Sequence, residues 1–194
     1  PVDAAALLLI EVDGHPAQVE EEARKVESLC RQFGATSIRV ATDAAERDNV
    51  WEARRSALSA LAQLKPTLIL EDATVPRSKI PHMVRAMQEI SRQYGIEIGT
   101  FGHAGDGNLH PLILFDSRNT DHLHQVENAG WEIMQACVKL DGTISGEHGI
   151  GLVKRNFIDR ELDPTSLQLM AAIKRQFDPD NILNPGNVVD AGPM

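Results

Sequence analysis

His103 and His110 stand seven residues apart in Gly99-Thr100-Phe101-Gly102-His103-Ala104-Gly105-Asp106-Gly107-Asn108-Leu109-His110-Pro111, and they are two of the seven histidines in a chain of 194 residues. Imidazole ligates metals and carries protons near neutral pH, so the spacing of this pair has chemical consequences. Asp-Gly favours a two-residue hairpin turn, because both central positions of that turn take positive φ. With Asp106 and Gly107 at its tip, Gly105 faces Asn108, Ala104 faces Leu109 and His103 faces His110. Directly opposed residues share one face of a sheet with Cβ atoms about 4.5–5.5 Å apart. Two imidazoles so placed can chelate one ion. On one continuous strand the odd separation would send them to opposite faces. The same residues also read as a glycine-rich loop with two merely polar histidines.

A second cluster, Ser145-Gly146-Glu147-His148-Gly149-Ile150-Gly151, sets a carboxylate beside an imidazole among glycines. Glycine permits the backbone angles that let two neighbouring side chains approach one site. Glu147 then supplies an oxygen to the ion, and His148 is left as a proton acceptor. Two histidines and one carboxylate form a common catalytic metal set with positions open to substrate. Alone, a Glu-His pair in a glycine loop is a weak motif. Two clusters in one small chain strengthen each other.

The elements that position these residues follow from periodicity. Leu7 to Val12 reads as a strand, Pro16 opens a helix to about Phe33, Ser37 to Ala41 is a short strand, and Thr42 caps a helix to about Leu64. On that second helix Arg47, Trp51, Arg54, Leu58 and Leu61 share a face. An arginine there either snorkels at the edge of the apolar stripe or offers a guanidinium fork to a carboxylate. Thr67 to Val75 is a third strand, and Ile80, Met83, Val84, Met87, Ile90 and Tyr94 stripe the helix after it, closed by Gly95. The histidine hairpin comes next, then a helix over about 120–140 and a helical tail from Pro164. This order predicts an α+β fold: a mostly antiparallel sheet of split βαβ, ferredoxin-like units, with helices on one face and a helical C-terminal tail.

Composition narrows the function classes. The net charge is −9 with pI about 5.2, and no basic block is present, which argues against nucleic-acid binding. Cys30 and Cys137 each fall on an apolar helical stripe and read as reduced core thiols, so a metal here needs His and carboxylate ligands. No apolar run reaches membrane-spanning length, which sets a cytoplasmic location as the expectation. The chain begins mid-pattern at Pro1 without Met, as a fragment of a longer protein would.

Three stretches together, Gly102 to His110, Ser145 to Gly151, and Phe177-Asp178-Pro179 through Asn184-Pro185-Gly186, resemble the C-terminal domain of FAD-linked oxidases. The nearest resemblance is to the glycolate oxidase FAD-linked subunit and the D-lactate and D-2-hydroxyglutarate dehydrogenases, and it spans essentially residues 1–194 as one domain. It implies a sheet-and-helix cap over 1–152 carrying the metal site and a tail over 153–194 that returns to a flavin domain. By resemblance, His103, His110 and Glu147 match divalent-metal ligands (Zn or Mn), and His148 matches the general base. Arg54 matches a residue that binds the substrate carboxylate, and Asn184 lies in the motif that approaches the flavin. FAD itself would sit mainly on an N-terminal domain. Leu70 stands where some relatives carry a substrate-binding lysine, which favours glycolate or D-lactate over a dicarboxylate.

The implied activity is oxidation of a small 2-hydroxy acid to a 2-oxo acid, with this chain inactive on its own. The implied partners are the chain's own N-terminal FAD domain and other oxidase subunits, which would also provide any attachment to the inner membrane. Two other readings of the residues stay open: a metal-dependent hydrolase using the same ligands to activate water, and a non-catalytic metal-binding module.

Overall fold

Apolar periodicity becomes structure most directly in the two helices that cover the sheet. The computed structural model describes residues 4–189. The chain divides into two compact units, Pro1–Ala60 and Leu61–Met194.

The first unit holds α1 (Pro16–Gln32) and α2 (Ala44–Leu61), the last residue of α2 falling at the start of the second unit. Pro at the first turn opens α1, where its missing N–H costs nothing. The start of α2 is set by Asp43 rather than by the expected Thr42. The Asp43 carboxylate accepts the Glu46 N–H at 2.8 Å, and Glu46 reaches back to the N–H and hydroxyl of Thr42 at 2.8 and 2.9 Å. That is a capping box displaced by one residue. The strands expected at Leu7–Val12 and Ser37–Ala41 do not form. A strand needs a partner for its backbone groups, and among the described residues neither segment has one. Leu7 and Leu8 remain 65% and 69% exposed.

In the second unit the order is β1 (Thr67–Leu70), β2 (Ala73–Thr74), α3 (Ile80–Tyr94), β3 (Glu97–His103), β4 (Asn108–Phe115), α4 (Thr120–Lys139), α5 (Ile158–Glu161) and α6 (Pro164–Phe177). Every strand pairing is antiparallel. β1 and β2 run end to end along one side of β4, and β3 lies on the other. The strand expected over Thr67–Val75 is thus broken at Glu71-Asp72. Glu71 donates its N–H to Pro111 O at 2.8 Å, and Pro111 has no N–H to return. The register on both sides of the break is unchanged.

Met83, Met87 and Ile90 of α3, with Val126, Ala129, Ile133, Met134 and Cys137 of α4, pack on one face of the sheet against Leu109, Ile113 and Phe115. Alternation along β4 sends Asn108, His110, Leu112 and Leu114 to the other face. The fold is therefore α+β, an antiparallel sheet with helices on one face. Cys137 is a buried thiol pushed up to about 12, first by burial and then by the Glu161 charge. Both cysteines are free.

Candidate metal centre

The face of the sheet turned away from α3 and α4 carries the site. The hairpin uses Gly107 alone at positive φ, +80°. Its loop is four residues, Ala104 to Gly107, closed by the Asp106 and Gly107 N–H groups on His103 O, both at 3.0 Å. The register is consequently shifted by two: His103 pairs with Asn108, and His110 with Phe101. A shift of two keeps every side chain on its face. The expected direct pairing of His103 with His110 is replaced by a diagonal one, and their ring centroids lie 5.4 Å apart, edge to face. Gly107 is required here twice over, since a Cβ would also stand 2.0 Å from Val75 O.

Glu147 and His148 arrive from the loop after α4. Thr143 bridges to Thr74 through both backbone bonds, at 2.8 and 3.0 Å, and starts the loop across the sheet. Gly146 lets it settle, because a Cβ there would lie 2.2 Å from Thr74 Oγ1 and 3.0 Å from Asn108 Cγ. Glu147 Oε1 then comes 3.0 Å from His110 Nε2 and 3.9 Å from His148 Nε2. The His148 ring stacks on His110 with centroids 5.2 Å apart and planes 9° apart.

Four of the six residues expected at the site therefore meet in the second unit. His103, His110 and Glu147 each turn one ligand atom to a common point, all within 4.8 Å of one another. Ligands at about 2.0–2.2 Å from a shared ion stand roughly 3–4 Å apart, so the donor set fits a divalent cation with little adjustment. His110 is buried and His103 and Glu147 are exposed, which leaves one side open. Burial holds the His110 pKa below its ordinary value, although the Glu147 carboxylate pulls the other way. The ring is thus neutral near pH 7, the form that ligates.

Arg54 is half-buried on α2 in the first unit. Asn184 is exposed in the tail of the second, at φ +50°. That tail is tied down near the Glu147 loop. Asp178 accepts the N–H groups of Ile182 and Leu183 at 3.0 and 2.9 Å and pairs with Lys174, Arg155 donates to Gly186 O at 2.8 Å, and Val188 N–H donates to Gly151 O at 3.1 Å.

Two buried charges that carry no flag in the sequence reading hold the site together. Asp72 Oδ2 accepts the Ser145 hydroxyl at 3.1 Å and the Glu147 and His148 N–H groups, both at 2.8 Å. Burial pushes its carboxyl up, but these backbone donors outweigh that and hold it below the usual range. Lys154 Nζ donates to the carbonyls of Asp72 and Ile144 at 2.8 and 2.6 Å and lies 3.5 Å from Glu71 Oε2. The available signal is the pair Glu71-Asp72, two carboxylates inside an otherwise apolar strand.

An antiparallel sheet with helices on one face thus carries a two-histidine, one-carboxylate cluster and an adjacent histidine on its other face. Residues 1–188 match the family model described as FAD linked oxidases, C-terminal domain. The chain belongs to that family. It is 50% identical over 188 residues, 97% of its length, to the glycolate oxidase subunit GlcD of Bacillus subtilis, of which it covers 40%. It is 37% identical over 178 residues, 87% of its length, to a D-lactate dehydrogenase of Archaeoglobus fulgidus, of which it covers 37%. The chain thus spans about two fifths of the length of these relatives. The fold itself resembles a 4-ethylphenol oxidase from Gulosibacter chungangensis, solved as an isoeugenol complex, at a TM-score of 0.62 and 14% identity, covering 93% of this chain and 38% of that one. No helix among the described residues is long and apolar enough to cross a membrane.

Proposed function

We propose that residues 1–194 form the substrate-side domain of a flavin-dependent 2-hydroxy-acid dehydrogenase or oxidase of the glycolate or D-lactate class, with the tail over 153–194 returning to an FAD-binding domain. The observation that carries this reading is the convergence of His103, His110, Glu147 and His148 on one sheet face of a chain from the FAD-linked oxidase family. The names of its relatives, a glycolate oxidase subunit and a D-lactate dehydrogenase, support the substrate class. Leu70 lies on the site face by register, and by resemblance it stands where some relatives carry a substrate-binding lysine, which favours glycolate or D-lactate over a dicarboxylate.

His103, His110 and Glu147 would hold a divalent cation. When bound, such an ion acts as a Lewis acid toward the substrate's hydroxyl and carboxylate oxygens. His148, adjoining Glu147 and braced against the His110 ring, accepts the hydroxyl proton at its imidazole. A flavin held by the FAD-binding domain would supply the acceptor for the hydride equivalent from the substrate Cα. The balance would be one proton to His148, one hydride to that flavin and a 2-oxo acid as product. Arg54 fits the substrate carboxylate by charge, and Asn184 stands in the segment assigned to the flavin side. Other oxidase subunits are proposed as partners, as the word subunit in the relative's name suggests.

The test is anaerobic flavin reduction by glycolate and D-lactate in the full flavin-bearing protein. His148→Ala is expected to abolish reduction while metal content stays unchanged. Retained reduction would remove the base role, and metal-dependent ester or amide hydrolysis without flavin reduction would replace this reading by a hydrolase.

A further inference from the structure

Asp72 is fully buried, yet only one of its two carboxylate oxygens is used. Oδ2 takes the donors of the Ser145–His148 loop, while Oδ1 is buried without a partner. A second orphan lies on the same face: His110 Nδ1 is also buried and unpartnered, while Nε2 of that ring points to Glu147. The register relates the two. Leu70 pairs with Leu112 and Ala73 with Leu109, which sets Asp72 across β4 from His110. Glu71 and Pro111 occupy the hydrogen-bonded position beside them. Asp72 and His110 therefore occupy a non-hydrogen-bonded position, where opposed side chains approach most closely. Buried donors and acceptors are rarely left unpaired, and these two orphaned atoms belong to residues opposed on one face of the sheet.

We propose that Asp72 is a positioning residue that couples the two halves of the metal centre, its Oδ2 anchoring the loop of Glu147 and His148 and its Oδ1 accepting the Nδ1–H of His110, so that Nε2 is presented to the ion. A ligating histidine needs its proton on the other nitrogen, and a carboxylate behind that nitrogen holds the tautomer and the ring plane. One side chain thus sets the orientation of one ligand and the backbone of another. Asparagine cannot replace it. With its oxygen kept on the loop donors, the amide NH2 faces His110 and favours a lone pair on Nδ1, the tautomer that puts the proton on Nε2 and opposes ligation.

This inference rests on the metal reading above, and the experiment separates the two. The full flavin-bearing protein, with 15N-labelled histidine, is titrated with Zn2+, and His110→Gln assigns the imidazole signals of the wild type. The expected wild-type result is one tightly bound Zn2+ and a His110 Nδ1–H proton that is shifted downfield and protected from exchange. Asp72→Asn is expected to lose that resonance and roughly 10- to 100-fold in Zn2+ affinity. Ser145→Ala, which removes one donor to Oδ2 and the acceptor of the Gly149 N–H but leaves Oδ1 untouched, is expected to keep the resonance. A merely structural Asp72 would weaken metal binding in both variants without moving the Nδ1–H signal, and that result overturns the proposal. Should Asp72→Asn fail to fold, the wild type alone decides. Zn2+ bound with a freely exchanging Nδ1–H removes the role of Asp72 and leaves the metal centre standing, whereas no Zn2+ uptake removes both.

Discussion

Replacing Lys154 by Met is expected to destabilise the chain severely without touching a metal ligand. Lys154 is 6% exposed, and its ammonium group joins the carbonyls of Asp72 and Ile144 beside the Glu71 carboxylate. Methionine matches its volume but leaves two buried carbonyls without their donor and Glu71 without its counter-charge. Removing one partner of a buried pair costs about 3–5 kcal/mol. In a chain of this size each kcal/mol moves Tm by about 2–4 °C, so the fall should be roughly 6–20 °C. The pH dependence supplies a second signature. Burial already pushes the Glu71 carboxyl up, against the Lys154 charge that pulls it down. Without Lys154 it rises further, so the folded state binds the proton more tightly than the unfolded one. The deficit of the variant should shrink as pH falls from neutral through that raised pKa toward about 4.3, the unfolded value. Thermal unfolding followed by circular dichroism measures both. Lys65→Met is the control: its pair with Glu97 at 3.1 Å is solvent-exposed and is expected to contribute less than about 1 kcal/mol. A Lys154→Met variant that melts with the Lys65→Met control would refute the clamp.

Two further substitutions probe the hairpin turn and the C-terminal tail. Gly107→Ala combines a left-handed backbone, costing about 1–2 kcal/mol, with a Cβ pressed on Val75 O; denaturant unfolding should show the loss, and Gly105→Ala, with open space around it, should not. Asp178→Asn should flatten the acid limb of the stability curve. The Lys174 partner, and then the Leu183 and Ile182 N–H groups, hold the Asp178 carboxyl below its ordinary value. Its contribution is therefore complete above about pH 3.9, the unfolded value, and is lost as pH falls through the lowered pKa. Urea unfolding at a series of acidic pH values checks this, and an unchanged acid limb in the variant would contradict it.

Much of the site was legible because its determinants are local or periodic. The stripe of α3, the shared face of His103 and His110, and the glycine loop around Glu147 and His148 all depend on short spacings. The hairpin register was legible only in parity. Asp106-Gly107 suggested a two-residue turn, whereas Gly107 alone takes positive φ and the loop closes over four residues. A shift of two preserves parity, so His103 and His110 still share one face. The strands at Leu7–Val12 and Ser37–Ala41 carry apolar patterns, but pairing depends on a partner that a pattern does not name. Asp72 and Lys154 were hidden for another reason. Their roles arise mainly from contacts 73 to 83 residues away in sequence, between a strand interruption and a loop. Only the unusual Glu71-Asp72 pair within an apolar strand marked the place.

His103, His110 and Glu147 are proposed to hold one divalent cation. Metal content of the full flavin-bearing protein, by mass spectrometry after exchange into metal-free buffer and re-addition of Mn2+ or Zn2+, tests it most directly. About one ion per chain in the wild type and almost none in His103→Ala and Glu147→Ala, with folding intact, is the result this site requires. Equal occupancy in the wild type and both variants would contradict it.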